Sequence, residues 1–305
     1  MNSYNQTIVT DFILRGISDD SEMQVPFFLL VLVIYLITLG GNMIIIILIC
    51  LNQHLHTPMY FFVANLSIFD ISCSAVTLHR VLTNFLLDDK RISFFCCMAQ
   101  MYIFSGLTSN ELLLLSAMSF DRYVAICNPL RYHMDMNPRV CSLLAAICWS
   151  VGIVQVLPIA VVLSISTCYK SNEINHFFCD MMPLIKLLCD ISFIELFVFI
   201  NAMFYATFPF LFTFAPYIPI ISTILRIRFS TGRRKAFYTC SSHLTVVILL
   251  YSTLICQYLR PTSMDKEDSN KLFSLFNTAA LPILNPLIYS LNNKDVKSAL
   301  KKSLR

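Results

Sequence analysis

Seven long apolar runs dominate the pattern of hydrophobic and polar positions along the chain. They cover residues 25–50, 57–86, 92–127, 139–166, 192–228, 235–260 and 270–291. A helix needs about 20 consecutive apolar residues to cross a bilayer, and each run reaches that length. The second, third and fifth runs are longer than required, so their ends are expected to project into water or to tilt. The pattern predicts an all-α membrane protein, a bundle of seven transmembrane helices.

The composition supports this assignment. Of 305 residues, 57% are hydrophobic and 13% are charged, and the mean hydropathy is +0.69, which is too apolar for a soluble domain of this size. The first run follows a polar, acidic stretch and is about twice as long as the apolar core of a signal peptide. We expect it to remain as an uncleaved anchor.

Basic residues near the runs predict the orientation of the chain. Lys and Arg are more frequent on the side that holds the segment between the fifth and sixth runs and the C-terminal residues, and this side is predicted to be cytoplasmic. Residues 1–24 then form an extracellular N-terminus, where Asn5 of the Asn-Gln-Thr triplet is a potential glycosylation site. The net charge of +4 suits contact with anionic inner-leaflet lipid and gives no indication of nucleic acid binding.

The last segment, residues 292–305, is basic with interspersed apolar positions. This pattern favours a short amphipathic helix lying on the cytoplasmic surface of the membrane. A frayed polar tail is the alternative.

Residues 118–127, at the end of the third run, read Met-Ser-Phe-Asp-Arg-Tyr-Val-Ala-Ile-Cys. A charge at the bilayer centre costs roughly 2.5 to 3.5 kcal/mol, so ionisable residues in such runs lie near the interface, face a wet interior or have partners. Asp121 and Arg122 are therefore predicted to form a switch. The segment resembles the signature that closes the third helix of rhodopsin-like G-protein-coupled receptors, in the form used by odorant receptors. Ser119 and Phe120 depart from that form.

Further segments extend the resemblance over essentially the whole chain. They are Gly41-Asn42, Leu-His-Thr-Pro-Met-Tyr at 55–60, Leu-Ser-Ile-Phe-Asp at 66–70, Lys-Ala-Phe-Tyr-Thr-Cys-Ser-Ser-His-Leu at 235–244 and Pro-Ile-Leu-Asn-Pro-Leu-Ile-Tyr-Ser at 282–290. The segments at 55–60 and 235–244 are typical of odorant receptors, and Thr57 favours the tetrapod-type class. The resemblance implies a plasma-membrane receptor domain at 25–291. Such a receptor binds a small volatile ligand in its outer half and activates a stimulatory heterotrimeric G protein, which raises cyclic AMP.

The chain also departs from the family pattern. Arg80 follows His79 where the family usually has Pro-Lys, and Asn292 stands where an arginine is usual. In the fifth run, Pro216 precedes Tyr217 and adds a second proline after Pro209. Because proline interrupts helical hydrogen bonding, this helix is predicted to bend twice.

Four of the twelve cysteines lie on the predicted outer side, where disulfides persist. They are Cys97, Cys168, Cys179 and Cys189, and four cysteines allow three pairings. The resemblance implies a bond between Cys97 and Cys179, which leaves Cys168 with Cys189. Cys96 is a neighbour that could compete with Cys97.

Two carboxylates lie at membrane depth. Glu111 is eleven residues, about three helical turns, before Arg122, so both share the inward face of the third helix. Glu111 and Asp70 cannot both stay charged at close range without a cation or a shared proton. The resemblance implies that they meet Asn42 and Asn285 in a sodium site. The alternative is a water-filled polar cluster that only orients the helices.

The resemblance also assigns an activation switch at the cytoplasmic end. Its residues are Asp121, Arg122, Tyr123, Tyr217, His243 and Tyr289. When the sixth helix swings outward, Arg122 is released from Asp121, while Tyr217 and Tyr289 turn inward. A helix of the G protein then inserts into the opened cavity.

A stripe of residues on the third helix predicts part of the ligand pocket. Phe104, Ser105, Thr108 and Ser109 follow the spacing of one helical face, and the resemblance implies that they face residues of the fifth, sixth and seventh helices, namely Asn201, Tyr205, Tyr251, Leu254, Ile255, Tyr258 and Thr278. Such a pocket is largely apolar with a few polar groups. No cation is expected in it, which favours a small neutral volatile over a carboxylate. Ordinary packing between helices is the alternative for each residue.

Other classes of function fit the sequence less well. A secondary transporter would show internal repeats or interrupted half-helices, and an intramembrane aspartyl hydrolase would need an acid dyad within its own motifs. Neither pattern is present, and no motif of a zinc enzyme or nucleophile elbow occurs. We therefore expect no enzymatic activity and no cofactor apart from the sodium ion. A seven-helix chemoreceptor outside olfaction remains an alternative.

Overall fold

A computed structural model describes residues 9–16, 21–87, 89–166, 168–189, 192–227, 230–258, 267–291 and 294–303. Each of the seven apolar runs forms a helical span. The first three spans are Ser21–Leu51, Pro58–Leu87 and Phe94–Cys127, the fourth is Pro138–Val154 with Leu157–Ile165, the fifth is Ser192–Phe214 with Tyr217–Arg226, the sixth is Ser230–Tyr258, and the seventh is Glu267–Leu275, a π-helical turn Phe276–Ala280 and Leu281–Leu291. This confirms the predicted seven-helix bundle.

Six of these spans are long and apolar enough to cross a membrane by composition alone. The third span is long enough, but it is less apolar because it contains Glu111, Asp121 and Arg122 as well as several neutral polar residues. It lies at the centre of the bundle and packs against the second, fourth and fifth spans. Burial by protein on several sides explains how this span can carry polar groups at membrane depth.

Two spans are interrupted where prolines occur. The fourth span breaks at residues 155–156, just before Pro158, although it was predicted as one continuous helix. The fifth span breaks at residues 215–216, while Pro209 stays inside the continuous helix Ser192–Phe214. Of the two predicted bends, the structure therefore has a break only at Pro216.

A small sheet on the extracellular side was not predicted. Strand β1, Asp11–Leu14, lies between the antiparallel strand β2, Arg91–Ser93, and the parallel strand β3, Glu173–Ile174. Because β2 occupies the first residues of the third apolar run, the helix begins at Phe94 rather than at residue 92. The all-α prediction therefore holds for the bundle but omits this sheet.

Short helices complete the structure. They are a 3-10 turn Gln53–Leu55, a turn of helix Tyr132–Asp135 and the loop helix Met181–Lys186. The C-terminal segment forms a helix at Lys294–Ser303, in which Val296 and Ala299 are buried and contribute to the main core. It packs against the first and seventh spans, as an amphipathic helix at the end of the bundle should.

Candidate ligand cavity and cytoplasmic switch

A mostly apolar cavity lies in the outer half of the bundle. Its volume is about 150 Å³, and an apolar cavity of this size holds a molecule such as benzene. The third, fourth, fifth and sixth spans form its walls, and Met181 of the loop helix lines it from the extracellular side. The cavity can therefore accept a small, largely apolar molecule.

Most of the predicted ligand residues line this cavity. They are Ser105, Thr108, Ser109, Tyr205, Tyr251, Leu254 and Ile255. The Thr108 hydroxyl donates to the Phe104 carbonyl oxygen at 3.1 Å. The Tyr251 hydroxyl is buried and lies near Thr213 of the fifth span.

Three predicted residues lie outside the cavity wall. Phe104 makes an edge contact with Phe178, with ring centroids 4.7 Å apart, and so supports the extracellular loop. Asn201 donates to the Phe197 carbonyl oxygen at 2.7 Å within its own helix. Thr278 is fully buried in the π-helical turn and donates to the Ser274 carbonyl oxygen at 2.8 Å. These three residues are not among those that line this cavity, and their predicted ligand contact stays a prediction.

Several lining residues were missed by the sequence reasoning. They are Leu112, Gln155, Val156, Ile159, Met181 and Ala206. The apolar members could not be told apart from ordinary core residues. Gln155 carried a signal, because it is a polar residue within an otherwise apolar run, and the helix break places it at the cavity.

The extracellular loop is fixed by two disulfides. The structure joins Cys97 to Cys179 and Cys168 to Cys189, the pairing that the resemblance implied. Cys96 is free and exposed. The backbone N–H of Cys179 also donates to Gln100 of the third span at 2.9 Å. The loop is thereby held on the outer end of the third span, over the cavity.

A buried hydrogen-bond network joins this loop to the sixth and seventh spans. We call it the outer network, and it consists of His176, Asp180, Thr253, Gln257, Ser274 and Asn277. Gln257 is central, since its Nε2 donates to Asp180 Oδ2 at 2.9 Å and to Ser274 Oγ at 2.8 Å. Its Oε1 accepts from Asn277 Nδ2 at 2.9 Å. One side chain therefore connects the loop with both spans.

His176 is the titratable base of the outer network. Its Nδ1 accepts from the Phe178 N–H at 3.5 Å, and its Nε2 faces Ser274 Oγ at 3.2 Å. Burial, reinforced by the charge of Lys271, lowers the pKa of His176 to about 3. The imidazole is therefore neutral at physiological pH, with its proton on Nε2.

The carboxylates predicted for the ion site do come together. Asn285 Nδ2 donates to both oxygens of Asp70 at 3.1 Å and approaches Glu111 Oε1 at 3.5 Å. Asn42 instead donates to the carbonyl oxygens of Thr38 and Pro282, at 3.0 Å each. Three of the four predicted residues thus share direct contacts, and Asn42 connects the first span to the seventh.

At the cytoplasmic end, Asp121 holds Arg122. Arg122 Nη2 lies 2.5 Å from Asp121 Oδ2, and the carboxylate is only 1% exposed. Tyr132, in the short helix after the third span, donates from its hydroxyl to Asp121 Oδ1 at 2.8 Å. Burial and the charge of Asp121 raise the pKa of Tyr132, so its hydroxyl remains a donor. Sequence reasoning missed this third partner.

Tyr217 and His243 join the fifth and sixth spans at the same end. The Tyr217 hydroxyl lies 2.5 Å from His243 Nδ1, and both side chains are buried. Tyr123 packs beside Tyr217 in a small apolar cluster with Ile220 and Ile224. Four of the six predicted switch residues therefore lie in two bonded pairs, one on the third span and one between the fifth and sixth spans.

Some predictions fall outside the described part of the structure. Asn5 lies outside the described residues, and so do the side chains of Tyr258 and Tyr289. Their predicted roles in glycosylation, ligand binding and activation remain predictions.

Comparisons with known proteins identify the family. The sequence profile of the olfactory receptor family matches residues 31–305. Olfactory receptor 8J2 of Homo sapiens is 45% identical over 306 residues, covering 100% of this chain and 97% of that receptor. Olfactory receptor 8U9 of Mus musculus is 46% identical over 304 residues, with coverage of 99% and 96%. The chain therefore belongs to the olfactory receptor family, whose members are G-protein-coupled odorant receptors of the plasma membrane and not enzymes.

Proposed function

We propose that this receptor binds a small neutral volatile in the cavity of the outer half and activates a stimulatory heterotrimeric G protein, which raises cyclic AMP. The observation that supports the ligand class is the cavity itself. It is apolar, has a volume of about 150 Å³ and is lined by a few hydroxyl groups. No charged side chain is among its lining residues, so a carboxylate would lose its hydration without gaining a counter-ion.

The contacts at the cytoplasmic end support the coupling. Arg122 is paired with Asp121 within the third span, and the contact between Tyr217 and His243 joins the fifth span to the sixth. Outward movement of the sixth span would separate Tyr217 from His243 and expose Arg122 to a partner. A ligand that binds the open arrangement more tightly shifts the population towards it, and the G protein has the reciprocal effect on ligand affinity.

The test is a cyclic AMP assay of the expressed receptor against a panel of neutral volatiles and carboxylic acids. We expect a response to neutral volatiles that is abolished by Arg122→Ala at matched surface expression, because the charge that faces the partner is lost. Arg139→Ala is the matched control, since Arg139 is an exposed arginine on the cytoplasmic side. Equal responses of wild type and Arg122→Ala would contradict the role of Arg122. A response confined to carboxylic acids would contradict the ligand class.

We also propose that a sodium ion binds at Asp70 and Glu111. Hard cations prefer oxygen ligands, and the two carboxylates supply these. Asn285 contacts both carboxylates through its Nδ2 atom, and its buried Oδ1 atom has no hydrogen-bond partner in the described part of the chain. This donor set fits sodium, which would neutralise the paired charges. The alternative is a polar cluster in which the Asn285 amide alone bridges both carboxylates.

A thermal unfolding assay of the purified receptor in sodium or in potassium chloride separates these alternatives. Ligand linkage predicts that sodium at tenfold its dissociation constant stabilises the receptor by about 1.4 kcal/mol. Asp70→Asn should remove the sodium dependence. Equal stability of the wild-type receptor in both salts would favour the polar cluster without an ion.

A further inference from the structure

Gln155 lies at the wall of the ligand cavity and is 9% exposed. Its side chain makes no hydrogen bond with any described residue, in contrast to Thr108, whose hydroxyl bonds within its own helix. A hydrogen bond to an amide is stronger in a low-dielectric site than in water. The side chain therefore offers one donor group and one acceptor oxygen in a mostly apolar cavity whose other polar groups are hydroxyls.

The backbone holds this amide in place. The Gln155 N–H donates to the Val151 carbonyl oxygen at 3.0 Å, and the Val156 N–H donates to the Ile153 carbonyl oxygen at 3.3 Å, so the helix tightens at its break. Pro158 cannot donate to the helix, which accounts for the interruption at this position. Gln155 is thus carried by a defined turn between two helical segments.

Gln155 and two serines line the cavity from neighbouring spans. A Cβ atom added at Gly106 would lie 3.6 Å from the Ile153 Cα atom, so the third and fourth spans approach closely at this level. Ser105 flanks Gly106, and Ser109 follows one turn later. The third and fourth spans line the cavity with both polar and apolar side chains, and Gln155 is the only amide among the lining residues. Leu254 and Ile255 of the sixth span add apolar side chains beside Tyr251.

We infer that Gln155 is the polar anchor that sets ligand preference, and that the preferred ligand is a small aliphatic molecule with one neutral oxygen group, an alcohol, aldehyde or ketone. Its oxygen bonds the Gln155 amide, and its hydrocarbon part extends towards Leu254 and Ile255. This inference rests on the proposed function, because it names the ligand class of the same cavity.

The experiment compares straight-chain alcohols and ketones with alkenes of equal length. The variant Gln155→Met keeps the length of the side chain and removes the amide. For this variant we expect the half-maximal concentration of oxygenated ligands to rise about 10- to 100-fold, which corresponds to the loss of one buried hydrogen bond. The half-maximal concentrations of the alkenes should change by less than about threefold, because an alkene forms no hydrogen bond with the Gln155 amide in the wild type. Gln53→Met is the matched control, because Gln53 is exposed in the inner turn.

A second variant, Gln155→Asn, retains the amide but shortens the side chain by one methylene. It should preserve the preference for oxygenated ligands and shift the optimum to a longer molecule. Unchanged preference in Gln155→Met, or an equal loss for both ligand classes in both variants, would overturn the inference.

Thermal stabilisation of the purified receptor by the same ligands separates this inference from the proposed coupling. Amide-dependent stabilisation without a cyclic AMP response would contradict the coupling and leave the anchor intact. The absence of both stabilisation and response for every oxygenated ligand would overturn the anchor.

Discussion

Individual buried polar residues connect separate segments of this bundle through hydrogen bonds. Asp121 accepts hydrogen bonds from Arg122 and Tyr132, and Gln257 bonds three side chains of the outer network. The sequence motif predicted the pairing of Asp121 with Arg122. Tyr132 could not be predicted, because its contact depends on how the chain turns after the third span. The partner of a buried polar group was therefore predictable here where both residues belong to one motif, as for Asp121 and Arg122.

At this scale we predict that acid destabilises the receptor through His176. The folded state holds His176 neutral with a pKa of about 3, whereas the unfolded chain takes up a proton below about pH 6.5. The unfolded state therefore binds more protons between these values, so stability falls as the pH falls. The expected loss is about 1.4 kcal/mol for each pH unit below 6.5.

Thermal unfolding of the purified receptor between pH 7.5 and 5 measures this effect. His176→Gln should reduce the pH dependence, because an amide can accept from Phe178 and donate to Ser274 without titrating. His133→Gln is the matched control, since His133 is exposed in the inner loop. An unchanged pH dependence in His176→Gln would show that other groups cause the acid sensitivity.

At the scale of elements, the long helices were predictable and the short strands were not. Each apolar run is long enough to identify a span without reference to its partners. The strands Asp11–Leu14, Arg91–Ser93 and Glu173–Ile174 are too short to give a periodic signal, and their pairing brings distant segments together. The break at residues 155–156 could not be predicted either. A proline does not always interrupt a membrane helix, as Pro209 illustrates within the continuous helix Ser192–Phe214.

The first prediction at this scale concerns the disulfide between Cys97 and Cys179, which joins the loop to the third span. Cys179→Ser should reduce surface expression and ligand response strongly, because a native disulfide contributes typically 2 to 4 kcal/mol. Surface labelling and the cyclic AMP assay measure the two effects. Cys96→Ser is the control, since Cys96 is free and adjacent to Cys97. Normal expression and response of Cys179→Ser would mean that the bond does not hold the loop over the cavity.

The contact between the third and fourth spans gives a second prediction at this scale. A Cβ atom at Gly152 would lie 1.6 Å from Asn110 Oδ1 and 2.8 Å from the Asn110 backbone nitrogen. Because backbone atoms cannot move aside easily, Gly152→Ala should push the spans apart and lower the unfolding temperature. Gly106→Ala is the control in the same interface, where the nearest atoms are 3.6 Å away. Equal unfolding temperatures of both variants would refute the close approach at Gly152.

At the scale of the whole molecule, the cavity and the pair Asp121–Arg122 lie in opposite halves of the third span. Ser105 and Ser109 line the cavity, while Asp121 and Arg122 form a pair about three to five turns further along the same helix. The sequence predicted this arrangement from the resemblance and from helical spacing. It did not predict that Phe104, Asn201 and Thr278 are absent from the cavity lining, because their contacts with the loop and within their own helices depend on tertiary structure.

The central claim is that this cavity is the odorant site, and Ser109→Leu tests it most directly. The larger side chain reduces the cavity volume, and each lost methylene contact is worth about 0.8 kcal/mol. The measurement is the cyclic AMP dose–response to an homologous series of neutral volatiles at matched surface expression, with Ser252→Leu as control because Ser252 is exposed on the outer face of the sixth span. We predict that Ser109→Leu shifts the preferred ligand to a shorter homologue while Ser252→Leu leaves it unchanged. An unaltered dose–response series in Ser109→Leu would show that the odorant binds elsewhere.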